Sequence, residues 1–180
     1  NTILDNANIK ATAIAGDAWE AKQNADFYKE TLGALERRIK GYGDEWIIPS
    51  ASILDELADE YSFEEAGQNL KTFREYSKKL SSEGRAYDCL YVEKNRRGTA
   101  IRFVTDAFNG AVDSVIANIK HNNYGILKQQ IIDAFKLVNT NGKAFRDAKV
   151  TEEYLNSRLS ELEWGVKAHA LKLRDKEEQR

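Results

Sequence analysis

Residues 101–120 read Ile101-Arg102-Phe103-Val104-Thr105-Asp106-Ala107-Phe108-Asn109-Gly110-Ala111-Val112-Asp113-Ser114-Val115-Ile116-Ala117-Asn118-Ile119-Lys120, and they carry two stripes at once. Ile101, Val104, Phe108, Val112, Val115 and Ile119 recur at steps of three and four, the period of one helix face. Arg102, Asp106, Asn109 and Asp113 recur at the same steps on another face. The apolar stripe is wide enough to bury, so the rest of the chain is expected to pack around this helix. The polar stripe has two readings. Two carboxylates, an amide and a guanidinium in line can form a metal or catalytic site. They can equally form a structural polar network that fixes how neighbouring helices dock, because buried charges must be paired. The network is the preferred reading.

Working outward, Leu4, Ala7, Ala11, Ile14, Ala18, Ala21, Ala25, Tyr28, Leu32, Leu35 and Ile39 alternate three- and four-residue steps without a break. That is the seam of a coiled coil, and its alanines let a partner helix approach closely. It is read as a stalk entering the domain and as a route to a homo-oligomer. Gly41-Tyr42-Gly43 is expected to end it. Glu45 to Ile48 reads as a short strand closed by Pro49, with Ala86 to Val92 as its mate. Ser62-Phe63-Glu64-Glu65 reads as a capping box opening a helix that stops at Glu83-Gly84. Asn139 to Gly142 reads as a turn and Lys143 to Lys149 as a polar connection. Thr151 caps the last helix, where Leu155, Leu159, Leu162, Val166, His169 and Leu173 repeat the heptad spacing.

The 180 residues suffice for about one domain with a proper core. A net charge of -2 sets up no global field toward nucleic acid or membrane, so such binding needs a local patch. The single cysteine, Cys89, excludes an internal disulfide. No apolar run of bilayer-spanning length occurs. His121 and His169 have no cysteine partners, and no P-loop, GxSxG or dinucleotide fingerprint is present. No cofactor, metal or catalytic residue is assigned, and the segment is read as not an enzyme.

The one functional signal is basic. Lys94, Arg96 and Arg97 cluster where the central helix begins and where free backbone N–H groups would favour a phosphate. Lys120, Lys143 and Arg146 extend the candidate nucleic-acid-binding set if the fold gathers the loops. The competing reading is a set of solvated charges paired with Asp and Glu. Aromatic interleaving, as in single-strand binders, is missing from these loops apart from Tyr124 and Phe145.

Ala107-Phe108-Asn109-Gly110, Asp113, Val138-Asn139, Gly142, Thr151 to Leu155 and the closing Glu177-Glu178-Gln179-Arg180 together resemble the bacterial Domain-of-Unknown-Function-4041 family, as found in SNIPE-like membrane-associated antiphage nucleases. The likeness covers about residues 41–180. It implies a membrane anchor, a coiled coil, this domain and then a GIY-YIG nuclease domain. Tyr124-Gly125-Ile126 does not meet the nuclease pattern, so that domain is expected beyond Arg180. The resemblance also implies a role in bacteriophage defence at the cytoplasmic face of the inner membrane, with the segment itself not touching the bilayer. It brings no catalytic residue to this segment.

The expected architecture is mainly α: a helical domain with a small two-stranded ribbon, flanked by N- and C-terminal coiled-coil helices. Residues 1–40 form the coiled-coil helix, 41–150 a sensor or targeting domain, and 151–180 a helix leading toward the nuclease. The expected function is a non-catalytic module that binds DNA or a phage component for a nuclease in the same polypeptide. The alternative is a structural spacer that sets oligomeric state.

Overall fold

A computed structural model describes residues 2–40, 52–120 and 122–180. Helix α4 (Lys94–Ile116) buries Val104, Phe108, Val112 and Val115, as the apolar stripe predicts. Phe108 is fully buried, with the rings of Phe135 and Tyr154 at centroid distances of 6.3 and 6.0 Å. Burying one such ring contributes about 2–3 kcal/mol. Contrary to the expectation that the chain packs around α4, helices α2 (Ser52–Glu60), α3 (Glu65–Ser82) and α5 (Tyr124–Gly142) gather on α6 (Glu152–Glu178), α4 lies mainly on α5, and α1 (Thr2–Lys40) precedes them. The molecule is mainly helical, with a two-residue ribbon as its one sheet among the described residues.

That ribbon pairs β1 (Tyr87–Asp88) with β2 (Lys149–Val150), antiparallel, Tyr87 opposite Val150 and Asp88 opposite Lys149. The expected mate at Glu45 to Ile48 lies outside the described residues. The mate found is the end of the stretch read as a polar connection, too short to show a strand pattern of its own. Nor is Asn139 a turn residue: α5 continues through it to Gly142. Its side chain donates to the Val150 carbonyl (3.0 Å) and accepts from the Val150 N–H (2.8 Å), standing in for a neighbouring strand. At Gly142 the chain doubles back so tightly that a Cβ would lie 1.7 Å from the Ala148 carbonyl oxygen. Only glycine fits there.

The ends of α3 divide the same way. Gly84, at φ +70°, stops the helix where the sequence placed the stop. The capping box at Ser62 does not form. The Glu64 N–H is already bonded to the Tyr61 carbonyl (3.0 Å), Gly67 presses against that same carbonyl, and α3 begins only at Glu65. Thr151 does cap α6, accepting from the Tyr154 N–H at 3.3 Å. The residues α6 buries most deeply are Tyr154, Ser157, Arg158, Glu161, Leu162, Gly165 and Ala168. Apart from Leu162, the heptad positions of α6 are only half-buried.

Helix α1 is exposed from residue 2 to residue 26 and meets the domain only from Phe27 onward. There it lies on α5. Arg37 clamps the fully buried Asp133 carboxylate with two N–H groups. Lys136 donates to Glu30 (2.5 Å), the Thr31 and Thr140 hydroxyls meet at 3.3 Å, and Ala34 is fully buried.

Candidate nucleic-acid interface

The polar residues of the molecule form two assemblies of opposite character. The first is internal, between α2, α3, α4 and α6. Arg74 binds Asp55 bidentately (3.0 and 3.0 Å) and donates to Glu161 Oε2 (3.0 Å). Arg158 donates to Asp113 Oδ1 (2.8 Å), and its Nε lies 3.6 Å from the same Glu161 oxygen, an ion pair without a hydrogen bond. Glu161 is fully buried and both arginines nearly so. Burial works against the charge of each guanidinium, but the surrounding carboxylates outweigh it and hold both protons more tightly than usual. The Arg74 hydrogen bond in turn holds the Asp55 carboxyl below its ordinary range.

The Ser77 and Ser157 hydroxyls close the contact of α3 with α6. Next to them, Tyr154 donates to Asn109 Oδ1 (2.9 Å) and Asn109 Nδ2 donates to the Tyr87 hydroxyl (3.0 Å). Burial first, and the Tyr154 hydroxyl second, push the Tyr87 phenol well above its usual range. An open cleft of about 500 Å³ lies over this network, lined by residues that include Arg74, Ser77, Lys78, Asn109, Asp113 and Arg158. Asn109 and Asp113 from the α4 polar stripe thus contact other elements. Arg102 and Asp106 do not join them: both are exposed, and Arg102 bonds only the Thr99 hydroxyl one turn away, at 3.3 Å. Equal spacing along a helix does not say where the apolar face ends, and these two fall beyond its edge.

The second assembly is on the surface, at the head of α4. The 88–93 segment and the 143–147 turn come together there, since the Leu90 N–H donates to the Arg146 carbonyl (2.8 Å) and the Cys89 thiol to the Phe145 carbonyl (3.5 Å). The Phe103 and Phe145 rings meet at 5.2 Å between centroids, tilted 51° to each other, yet are 55% and 41% exposed, and Leu90 and Val92 are exposed as well. Arg96 shares the Phe103 face of α4 two turns earlier, Arg146 follows Phe145, and Lys94 and Lys149 are exposed at the same end. Sequence reading missed this aromatic pair because its members are distant in the chain and Phe103 sits outside the core stripe. The weak signal was Phe103 itself, a large apolar residue at a position the buried face does not claim.

The candidate cations are distributed unevenly. Lys94, Arg96 and Arg146 are exposed; Arg146 follows Phe145, Arg96 pairs with Glu93 at 3.5 Å, and Lys94 falls on the side of α4 away from Phe103. Arg97 is turned inward, to Asp88 (3.1 Å) and the Cys89 carbonyl, and helps hold the 88–93 segment. The Cys89 N–H, then Arg97, keep the Asp88 carboxyl below its ordinary range. Lys143 lies 3.8 Å over the Phe27 ring and ties the turn to α1. Lys120 follows the opposite end of α4, about 35 Å from Lys94 at 1.5 Å per residue, and is not part of this surface. The first-turn N–H groups expected to meet a phosphate are taken. Glu93 accepts from Asn95 N (3.0 Å) and Arg96 N (3.2 Å), so any anion here meets side chains and not the helix terminus. His121 lies outside the described residues. Half-buried His169 is held below its ordinary value by burial, then by Lys172 and Lys176. Among the described residues no group of His, Cys, Asp and Glu gathers as a metal site would require.

The class these features define is mainly helical, with six α-helices among the described residues, a minimal ribbon and a first helix exposed over residues 2–26. Its core region, residues 58–173, matches the model of the SNIPE associated domain family, and the chain belongs to that family. No curated protein and no solved structure matches.

Proposed function

We propose that this chain is the non-catalytic targeting module of a SNIPE-type antiphage nuclease, holding single-stranded nucleic acid at the head of α4 while a GIY-YIG domain elsewhere in the polypeptide cuts. The observation that carries this reading is the exposed Phe103–Phe145 pair, with exposed Arg146 next to Phe145 in the turn and Arg96 two turns before Phe103 on the same face of α4. Every base has a face that stacks on an aromatic ring, and cations follow the phosphates regardless of sequence. The likeness to the Domain-of-Unknown-Function-4041 family is part of this reading, as is a place at the inner face of the bacterial membrane through an anchor outside the segment. None of the described helices is itself long and apolar enough to cross a bilayer.

Fluorescence anisotropy with a single-stranded and a duplex oligonucleotide, each at several salt concentrations, tests it. Tighter binding of the single strand, falling steeply with salt, supports the proposal. No binding of either at low salt removes nucleic acid as the ligand and leaves a phage protein component as the recognised class. A second reading, a spacer that sets oligomeric state, is favoured by a separate observation: the exposed apolar residues of α1, among them Leu4, Ile14, Tyr28 and Leu32.

A further inference from the structure

We infer that α1 pairs with α1 of a second copy of this chain, parallel and in register, along a seam that runs past the domain without being covered by it. This deepens the spacer reading by naming the partner, its orientation and its alignment, and it is independent of nucleic-acid binding.

The domain and the seam use different sides of one helix. Phe27, Glu30, Thr31, Ala34 and Arg37 dock α1 on α5. At 3.6 residues per turn they centre about 130° around the helix from Tyr28, Leu32 and Leu35. Those three seam residues remain 64%, 58% and 43% exposed although the domain lies alongside. The apolar stripe is therefore not the surface with which α1 binds its own domain. Toward the N-terminus the whole circumference is exposed, Leu4 and Ile14 each at 68%. An unpartnered helix of this composition is marginal in water, and burial of its apolar stripe is what stabilises it.

Charge selects the occupant and its direction. With Leu4, Ala11, Ala18, Ala25 and Leu32 at the a positions, Asp17 falls at g and Lys22 at e of the following heptad. In a parallel, in-register pair each Asp17 faces Lys22 of the other copy, twice by symmetry. Where the seam is clear of the domain, the remaining g–e pairs bring no like charges together: Ile3 faces Asn8, Lys10 faces Ala15 and Asn24 faces Lys29. An antiparallel pair sets g against g and e against e, so it cannot form the Asp17–Lys22 pair: Ala18 opposite Ile14 sets Asp17 against Asp17, and Ala18 opposite Ala21 sets it against Asn24. Lys22 is also placed to respond to such a partner, since its only described contact is the Trp19 ring at 6.0 Å.

Sedimentation of the whole chain and oxidative cross-linking of Ala18→Cys decide the matter. The native Cys89 is buried and serves as the background control. The expected results are a dimer and a disulfide joining the two substituted positions. Asp17→Lys or Lys22→Asp alone should weaken dimerisation roughly tenfold by placing like charges across the seam. An equimolar mixture of the two variants should restore it, because each then faces its opposite. A monomer at high concentration overturns both this inference and the spacer reading. A dimer that fails to cross-link at position 18, or whose charge variants do not rescue each other, overturns the parallel alignment and leaves the spacer reading standing.

Discussion

The junction of α3 with α6 and the head of α4 are built from similar residue types, arginines, carboxylates and aromatic rings, yet they use them in opposite ways. At the junction Arg74, Glu161 and Arg158 are buried, and each is tied to a charge on a different element or a different turn. At the head of α4 Lys94, Arg96 and Arg146 are exposed, Arg96 in a surface ion pair with Glu93, and two rings that should, by size and apolarity, be inside are exposed as well. A charge removed from water is committed to its partner, because leaving that partner alone costs several kcal/mol. A charge left in water contributes little to folding and keeps its field for something that arrives later.

The contrast breaks first at Glu161. Glu161→Ala removes the carboxylate shared by two buried guanidinium groups, leaving Arg74 with Asp55 and Arg158 with Asp113, and should cost about 3 kcal/mol, read as a lower midpoint in chemical denaturation. A change below about 1 kcal/mol would mean that water already reaches the junction. Next, Phe103→Ala with Phe145→Ala should lower single-strand affinity tenfold or more, at about 1–3 kcal/mol per stacked base, while unfolding shifts far less than for Glu161→Ala. Equal loss of fold and binding would move the pair from the surface class to the structural one.

A subtler division lies inside the basic cluster itself. Arg97→Ala should cost about 1 kcal/mol of stability, because its bonds to Asp88 and the Cys89 carbonyl hold the 88–93 segment. Lys94→Ala with Arg96→Ala should leave the melting temperature in place and flatten the salt dependence by about 1.4 units, at roughly 0.7 per phosphate on a single strand.

The smallest effect is acid sensitivity. Because Arg74 lowers the Asp55 carboxyl below its ordinary 3.8, the unfolded chain takes up that proton first as pH falls. The contribution is complete above the ordinary value and is lost as pH drops through the depressed one. Asp55→Asn should therefore flatten the stability profile below about pH 4. His169 adds a separate window. Its folded-state value lies below 6.5, so it favours the fold above that pH and loses the contribution as pH falls beneath it.

How much of this was legible in the sequence depends on whether a feature is local. The buried stripe of Val104, Phe108, Val112 and Val115 is fixed by helix period alone, and the Thr151 cap and the Gly84 stop by single residues whose backbone chemistry leaves few choices. Features that need two distant segments were not legible. The partner of Tyr87–Asp88 is two residues long, the ring pair joins positions 103 and 145, and Arg74 and Arg158 are polar residues on helices that read as apolar seams. Arg102 and Asp106 show the limit from the other side. They have the right spacing, but only the packed neighbours decide which part of a polar stripe meets a partner and which part meets water.

The Asn139 side chain has a further consequence, for what the ribbon cannot do. A strand with unpaired N–H and C=O groups along its border is a template on which another chain can add, the usual start of sheet-to-sheet aggregation. Here the outward N–H and C=O of Val150 are both occupied by one amide from α5. On that border the template is blunted within the molecule, so copies gathered at high local density gain nothing there by strand addition, and contact between them is left to helices.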